Sequence, residues 1–503
     1  MNQHTTAASL YEKYTTDREP YLQRARDAAA LTLPSLIPPD NASGTTKYPT
    51  PYQGVGARGV NNLASKLVLA LLPAHTPFFR MAIDDYTLEE LTDQEGMRAE
   101  VEEALNSYER AVQAEIESDS ARPTIFEAVK QLIVAGNALL YLRPQGGIRL
   151  FRLDNFVVRR DPTGKVLEGI TKEHVAPATM DEETRSLLDQ QEQGNDEEIP
   201  VYTRFFRNED QWTSYMEIKG EIVPGSVGSY PLDKCPWLPL RFTKVDGDDY
   251  GRSYVEEYMG DLKSLEGLTQ AIVEGSAAAA KLLFFVNPNG VTRARQVKEA
   301  PNLAILSGNA QDISVFRVEK MADFSIAAQT AATMEDRLSK AFMLQSSIQR
   351  AGERVTAEEI RFMAGEIEDA LGGVYSILSQ ELQLPLVRAY IHRMEMQKRL
   401  PTLPKEAATP TITAGMEALG RGHDLSNLLS FQQALVPLAQ AFPEEFKDYL
   451  VVGDIIKRIG VGHGLDMKGM VRSEQEVAEM RQEREKEQMM MSMAPAMMPG
   501  APT

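Results

Sequence analysis

Three stretches of the chain carry residue types at spacings that could do chemistry. The first is PYQGVGARGVNNLASKL, residues 51–67, in which Gly54, Gly56 and Gly59 spell G-x-G-x-x-G, the turn that lays a dinucleotide pyrophosphate on a helix N-terminus. That chemistry needs a buried strand to aim the turn. The residues before Gly54, SGTTKYPTPYQ, contain Pro49 and Pro51 and cannot form a central parallel strand. No βαβ unit follows, and Asp84 and Asp85 sit on no strand pattern, so the glycines read as a tight turn into a helix over residues 57–72. The second stretch is DGDDYGRSYVEE, where Asp246, Asp248, Gly251 and Glu257 take positions 1, 3, 6 and 12 of a calcium loop. Position 5 is Tyr250, and the preceding CPWLPLRFTKV is broken by proline, so no entering helix exists. The acidic residues read better as the approach to a helix N-terminus, whose dipole favours them. The third is SSIQRAGERV, which sets Gln349, Arg350, Glu353 and Arg354 around Gly352 between two long helices. In one subunit it is a solvated connection; repeated around an axis it would be a cationic collar.

Other catalytic patterns are absent. His4, His75, His174, His392, His423 and His463 have no metal-ligand spacing, and there is no P-loop and no G-x-S-x-G. We therefore expect no enzyme, no metal and no cofactor. Cys235 is the single cysteine, which removes any disulfide framework and fits a reducing compartment. Acidic residues number 72 against 53 basic, a formal charge of -19, so the surface as a whole repels phosphate backbones and anionic membranes. The N-terminus lacks a signal-peptide pattern, and the apolar runs at Leu67 and Ser276 are shorter than the roughly 20 residues of a membrane span. A soluble protein is expected.

The elements that would position these stretches follow from periodicity. A length of 503 residues suggests several domains. Val60, Leu63, Ala64, Leu67, Val68 and Leu71 make one helical stripe, Val101 to Ile116 a second, and residues 125–142 a third, opened by a Thr124/Glu127 capping box. From Gly147 the period becomes two, with hairpins around Asp161–Gly164 and Asn208–Asp210. The acidic segment 181–198 between them reads as a solvated loop. A helix over residues 250–285 would be roughly 50 Å long, more than a compact monomer needs. Strand-like LAILSG and ISVFRVE follow, then a helix over 321–345 and another from Thr356, with a Thr356/Glu359 capping box and a kink or break near Leu384 before Pro385. The fold class is α+β, mainly helical.

VGARGVNNLASKLVLALLP, IFEAVKQLIVAGNALLYL, DYGRSYVEEYMGDLKSLEGLTQAI and above all ERVTAEEIRFMAGEIEDALGGVYSILSQELQLPLVR resemble the portal, or head-to-tail connector, family of short-tailed bacteriophages. The likeness runs from about Tyr11 to about Gly422 and weakens after Asp424. It implies a wing over 1–249, a first stem helix over 250–285, a clip over 286–320, a second stem helix over 321–345, a channel loop over 346–355, a long wing helix over 356–400, a crown over 401–472, and a charged helix with a disordered Met/Pro tail over 473–503. It further implies a homo-oligomer of twelve subunits at one capsid vertex of the virion, built in the host cytoplasm, through which double-stranded DNA passes without sequence readout. Gln349, Arg350, Glu353 and Arg354 would then face the DNA, while Arg293, Arg295 and Lys298 in the clip would dock the terminase large subunit and later the tail adaptor and nozzle proteins. Major capsid, scaffolding and internal core proteins complete the expected partners, with no membrane. Two rival readings are an oligomeric scaffold without a DNA channel and a nucleotide-dependent oxidoreductase built on the opening glycines.

Overall fold

A computed structural model describes residues 6–40, 42–73, 78–82, 97–188, 197–279, 283–316, 321–344, 371–401 and 409–412, with a few scattered helical residues between 430 and 486. The chain divides into two units, residues 1–75 with 114–399, and residues 76–113 with 400–503.

The first unit is a β-rich body clasped by helices. Helix α1 (Ala7–Ala30) starts at Thr6, whose hydroxyl accepts from the Ser9 amide, while the buried Glu217 carboxylate takes the amides of Ala7 and Ala8 at 2.7 and 3.1 Å. Two orphan donors of the first turn are thereby satisfied from a distant strand. Helix α2 (Val55–Leu71) follows. In the second unit, strand β1 (Phe79–Ala82) leads on to helix α3 (Met97–Ser118), which continues into the first. Helix α4 is Ala121–Ala135, and strands β2 (Asn137–Leu142) and β3 (Ile148–Phe151) come next. Strands β4 (Phe156–Arg160) and β5 (Val166–Val175) form the expected hairpin around Asp161, whose carboxylate accepts from the amides of Thr163 and Lys165. A one-turn helix α5 (Glu182–Arg185) precedes the second hairpin, β6 (Ile199–Arg207) with β7 (Gln211–Ile218). Short strands β8 (Glu221–Ile222) and β9 (Gly228–Pro231) both pair with β7, giving a sheet of order β4-β5-β6-β7-β8 with β9 beside it. Strand β10 (Trp237–Arg241) joins β2 and β3 in a second sheet, order β10-β2-β3, all antiparallel. Tyr11 and Tyr14 of α1 bury against Val157, Ile170 and Tyr202 of the larger sheet. Each such side chain contributes about 1.5–3 kcal/mol over the exposed state.

The remaining elements are α6 (Tyr254–Glu257), α7 (Met259–Ala279), β11 (Leu283–Val286), α8 (Ala294–Glu299), β12 (Ile313–Phe316), α9 (Met321–Ala341), a helical run over 371–378, a π turn at Ser379–Gln383, and α10 (Leu384–Met396). In the second unit β1 pairs with β13 (Thr409–Ile412), and Glu109 accepts from the Met81 amide at 2.7 Å.

Several expectations change. The glycines at Gly56 and Gly59 lie inside α2 and serve close approach, not turning. A Cβ on Gly56 would stand 2.5 Å from the Leu31 carbonyl oxygen, and one on Gly59 2.5 Å from the Phe342 ring, while Gly54 has an ordinary φ of -99°. The helix expected over 125–142 starts at Ala121 and stops at Gly136, so Thr124 is interior and caps nothing. Gly136 is left-handed at φ 73°, and a Cβ there would meet the Arg252 carbonyl carbon at 2.6 Å; glycine alone fits, and the apolar run after it becomes the buried strand β2. The acidic segment is not wholly solvated: Leu188 is buried with Met180, Val201, Ile218 and Val223, and Arg185 is tied to the carbonyls of Pro177 and Met180. LAILSG is irregular, and the long helix expected over 250–285 is divided at Tyr258 and gives way to β11 by Leu283. At Pro385 the helix neither breaks nor stops. The π turn closes a Leu384 amide to Ser379 carbonyl bond just before the residue that has no N–H to donate, and the helix runs on.

Candidate functional site

Of the candidate site residues, Arg293, Arg295 and Lys298 lie beyond one end of an antiparallel helix pair. Helices α7 and α9 run in opposite directions: Arg337 Nη2 meets Asp261 Oδ2 at 3.2 Å near one end, and Gly275 lies under the Phe324 ring near the other, where a Cβ would come within 2.3 Å. The end nearest the body is well packed. Leu262, Leu265, Leu338 and Phe342 are buried, Tyr254 and Tyr258 stack edgewise at 5.1 Å and flank the Phe342 ring, and the Tyr254 hydroxyl donates to the Ala341 carbonyl at 2.8 Å. Toward the far end small and apolar side chains are exposed. Val273 and Ile326 face solvent, as do Ser276, Ala277 and Ala278.

Beyond it sits a module of two strands and one short helix. Strands β11 and β12 pair antiparallel with Leu283 opposite Phe316 and Val286 opposite Ile313. Asp312 locks the connection, its carboxylate accepting from the Thr292 amide at 3.0 Å and its carbonyl from the Asn287 amide at 2.8 Å, with Gly290 held too close to it for any side chain. Phe284 and Phe285 are consecutive on β11, so they point to opposite faces of the pair, yet they are 59% and 56% exposed. Leu303 and Ile305 are 94% and 100% exposed. A two-stranded sheet by itself is marginal in water, and apolar exposure on this scale marks a protein contact surface.

Arg293, Arg295 and Lys298 lie in and beside α8, and all three are exposed. Arg295 pairs with Glu299 at 2.9 Å, but with side chains 86% and 62% exposed the pair adds little stability. Gln349, Arg350, Glu353 and Arg354, with the whole of 346–355 and the Thr356/Glu359 cap, lie outside the described residues, as does nearly all of 401–503.

Two clusters at the flanks of that segment were missed from sequence. Asn62 and Lys66 of α2 reach the carbonyls of Phe342 and Met343 in the turn just after α9, and Glu381 and Gln383 project from the π turn. Glu381 accepts from the Arg241 amide at 3.0 Å and its Nε at 3.0 Å, and lies 3.7 Å from Arg160 Nη1, with both arginine side chains only 3% exposed. Burial pulls Arg160 down to about 10, against the opposing pull of Glu381. Asp249, inside the calcium-like stretch, accepts from the Arg160 amide at 2.6 Å, and Gly251 is clasped by Asn137 at 2.7 and 3.0 Å. Ser253 then caps α6, accepting from the Glu256 amide at 3.0 Å, while burial and the neighbouring Glu256 push Glu257 above the usual carboxyl range. Among the described residues no group of three His, Cys, Asp or Glu is arranged to hold a metal, and no helix is long and apolar enough to cross a membrane.

Comparison with known proteins gives a consistent result. A family model described as bacteriophage head to tail connecting protein matches residues 4–471. The portal protein of Escherichia phage T7 is 46% identical over 93% of this chain and 89% of its own length. That of Enterobacteria phage T3 is 44% identical with the same shares covered, and that of Enterobacteria phage SP6 is 31% identical over 90% of this chain and 87% of its own.

Proposed function

The chain belongs to the family of bacteriophage head to tail connecting proteins, and from that premise we propose that copies of it form a portal ring at one capsid vertex, through which double-stranded DNA enters and later leaves. It is a structural connector, not an enzyme. The observation that carries the ring is the bare apolar surface on the far half of the helix pair and on the β11–β12 module. A neighbouring copy, repeated around an axis, covers such a surface on every subunit and leaves no open edge. Twelve copies is the number the family likeness suggests.

On this reading the wing is 1–249, the stem is formed by 250–285 and 321–345, and the clip is 286–320 between them. The loop 346–355 lines the channel, the helix over 356–400 returns to the wing, and 401–472 forms the crown. Acidic walls discourage adhesion of DNA, while Arg350 and Arg354, flanked by Gln349 and Glu353, touch backbone phosphates without reading sequence. Arg293, Arg295 and Lys298 offer the exposed cationic face for the terminase large subunit, which hydrolyses the ATP, and afterwards for tail adaptor and nozzle proteins. Capsid, scaffolding and internal core proteins meet the remaining surfaces, and assembly takes place in the host cytoplasm.

Replacing Arg350 and Arg354 with alanine tests the channel assignment. Rings of unchanged mass are expected, with fewer genomes retained in phage particles. Unaltered genome content and phage yield would refute it.

A further inference from the structure

The first unit closes two of its sheet edges and leaves a third open. The outward amides of β4 are taken: Val158 donates to the Tyr250 hydroxyl at 3.1 Å and Arg160 to the Asp249 carboxylate at 2.6 Å. Along β10, Pro239 has no N–H, its carbonyl accepts from Arg160 Nη2 at 2.9 Å, and the Arg241 amide donates to Glu381 at 3.0 Å. Strand β3, by contrast, pairs with β2 alone among the described residues. The turn before it fixes which groups face outward. The Arg143 amide donates to the Gly147 carbonyl at 3.1 Å, and Leu142, opposite Ile148, sends its own amide the other way, to the Pro236 carbonyl at 3.0 Å. By the antiparallel alternation, Ile148 and Leu150 present their N–H and C=O groups away from β2. Among the described residues nothing meets them.

Leu150 also lines a cleft of about 560 Å³, with Leu33 and Leu36 as further apolar wall and Lys130 and Arg152 among the polar lining. Gln131, 3% exposed, lines the same cleft. Its Nε2 donates to the Leu36 carbonyl at 3.1 Å, while its Oε1 is buried with no hydrogen-bond partner. An acceptor left in that state is costly. Lys130 pairs with Glu127 at 2.6 Å and Arg152 with Asp154 at 2.9 Å, which leaves N–H groups to spare on both cations. Arg149 stands on the opposite face of β3, paired with Glu173, its side chain 53% exposed. Residues 143–152, RPQGGIRLFR, hold three arginines and no acid in a chain of formal charge -19.

We propose that β3 and this cleft take an extended acidic segment of a partner protein, which adds to the sheet as a further strand. Main-chain bonds to Ile148 and Leu150 give it register and affinity. A residue of the added strand beside Leu150 shares its face and enters the cleft, where a tyrosine lays its ring on the leucines and brings a hydroxyl donor to the buried amide of Gln131. The residues before and after it lie on the face of Arg149, and there carboxylates are favoured over basic side chains.

The probe is a fluorescein-labelled peptide, Glu-Tyr-Glu-Val-Glu, titrated against the full-length protein by fluorescence anisotropy, with Lys-Tyr-Lys-Val-Lys as control. The acidic peptide should bind at least about tenfold more tightly. Ile148→Pro removes an outward N–H and keeps the ladder to β2, so it should weaken binding by about tenfold, and Gln131→Leu by a similar factor. Arg149→Glu reverses an exposed charge outside the cleft, and should weaken the acidic peptide and strengthen the basic one. Equal affinity of the parent for both peptides, or no saturable binding of either, overturns the proposal. So does binding that Ile148→Pro and Gln131→Leu leave undiminished. Where those two variants fail to fold by circular dichroism, Arg149→Glu decides, and an unchanged preference for the acidic peptide overturns the proposal there too. A fall in the parent's oligomeric mass as peptide is added would mean that a second copy already occupies the edge, and overturns the assignment to a partner protein.

Discussion

Glu381→Ala should be among the most damaging single changes in the body of the protein. It removes the acceptor for the Arg241 amide and guanidinium and the nearest carboxylate to Arg160 Nη1, leaving two guanidinium groups at 3% exposure with the carbonyls of Asp249, Gly164 and Pro239. Breaking a buried ion pair by removing one partner costs about 3–5 kcal/mol, because the remaining charge stays buried. With an m-value of about 3 kcal/mol/M for a unit of this size, a loss of about 4 kcal/mol moves the urea midpoint down by about 1.3 M. The chain has two tryptophans, Trp212 on β7 and Trp237 at the head of the strand that ends in Arg241, so tryptophan fluorescence reports this region directly. Glu381→Gln keeps the shape and loses the charge, and should give roughly half the shift. Glu299→Ala, which takes the partner from exposed Arg295, is the control and should not move the midpoint measurably. A Glu381→Ala shift no larger than that of the control would refute the claim that the π turn is anchored by its carboxylate.

Gly59→Val should destabilise by about 1–3 kcal/mol through collision with the Phe342 ring, and Phe342→Ala in the same chain should recover part of the loss relative to the sum of the single changes, measured by chemical denaturation. Asp119 is held below its ordinary value of 3.8: burial alone would raise it, but the Gly147 amide at 2.8 Å, Arg393 and Tyr390 outweigh that. A depressed carboxyl adds stability above its unfolded value and loses it as pH falls through the folded one. Asp119→Asn should therefore lower Tm at pH 7, with the gap from the parent closing below pH 3.8. Burial pushes the Cys235 thiol up to about 12, so iodoacetamide at pH 8 should label the folded chain far more slowly than the urea-unfolded one, as mass spectrometry will read.

How legible these features were depends on how local their causes are. The two hairpins were readable because turn chemistry and period-two alternation are written in adjacent residues, as at Asp161 and around Asn208. The stripe of α2 was readable for the same reason, but the meaning of its glycines was not. Gly59 is small because Phe342 arrives from far along the chain, and no local pattern carries that. The strand β2 was mistaken for helix because a fully apolar run has no period to betray it, although Gly136 was a stop signal in plain view. Leu283 to Val286 fell to the same ambiguity at the end of α7. Lys66 offered no hint, since it lies off the apolar stripe of α2 and its burial depends on Met343, far along the chain; Glu381 and Gln383 offered only their nearness to Pro385, which suggested a break where the fold makes a π turn. Of the candidate site, the exposed bases of α8 were legible from composition, while the exposure of Phe284 and Phe285 required the strand pairing to be known.

Electron-microscopy class averages of the purified full-length protein test the central claim most directly. End views should be closed rings of uniform diameter with a central hole, because the bare surfaces of the helix pair and its module must be covered by identical neighbours around an axis that DNA can occupy. Monomers at micromolar concentration, or closed particles without an axial opening, would contradict it.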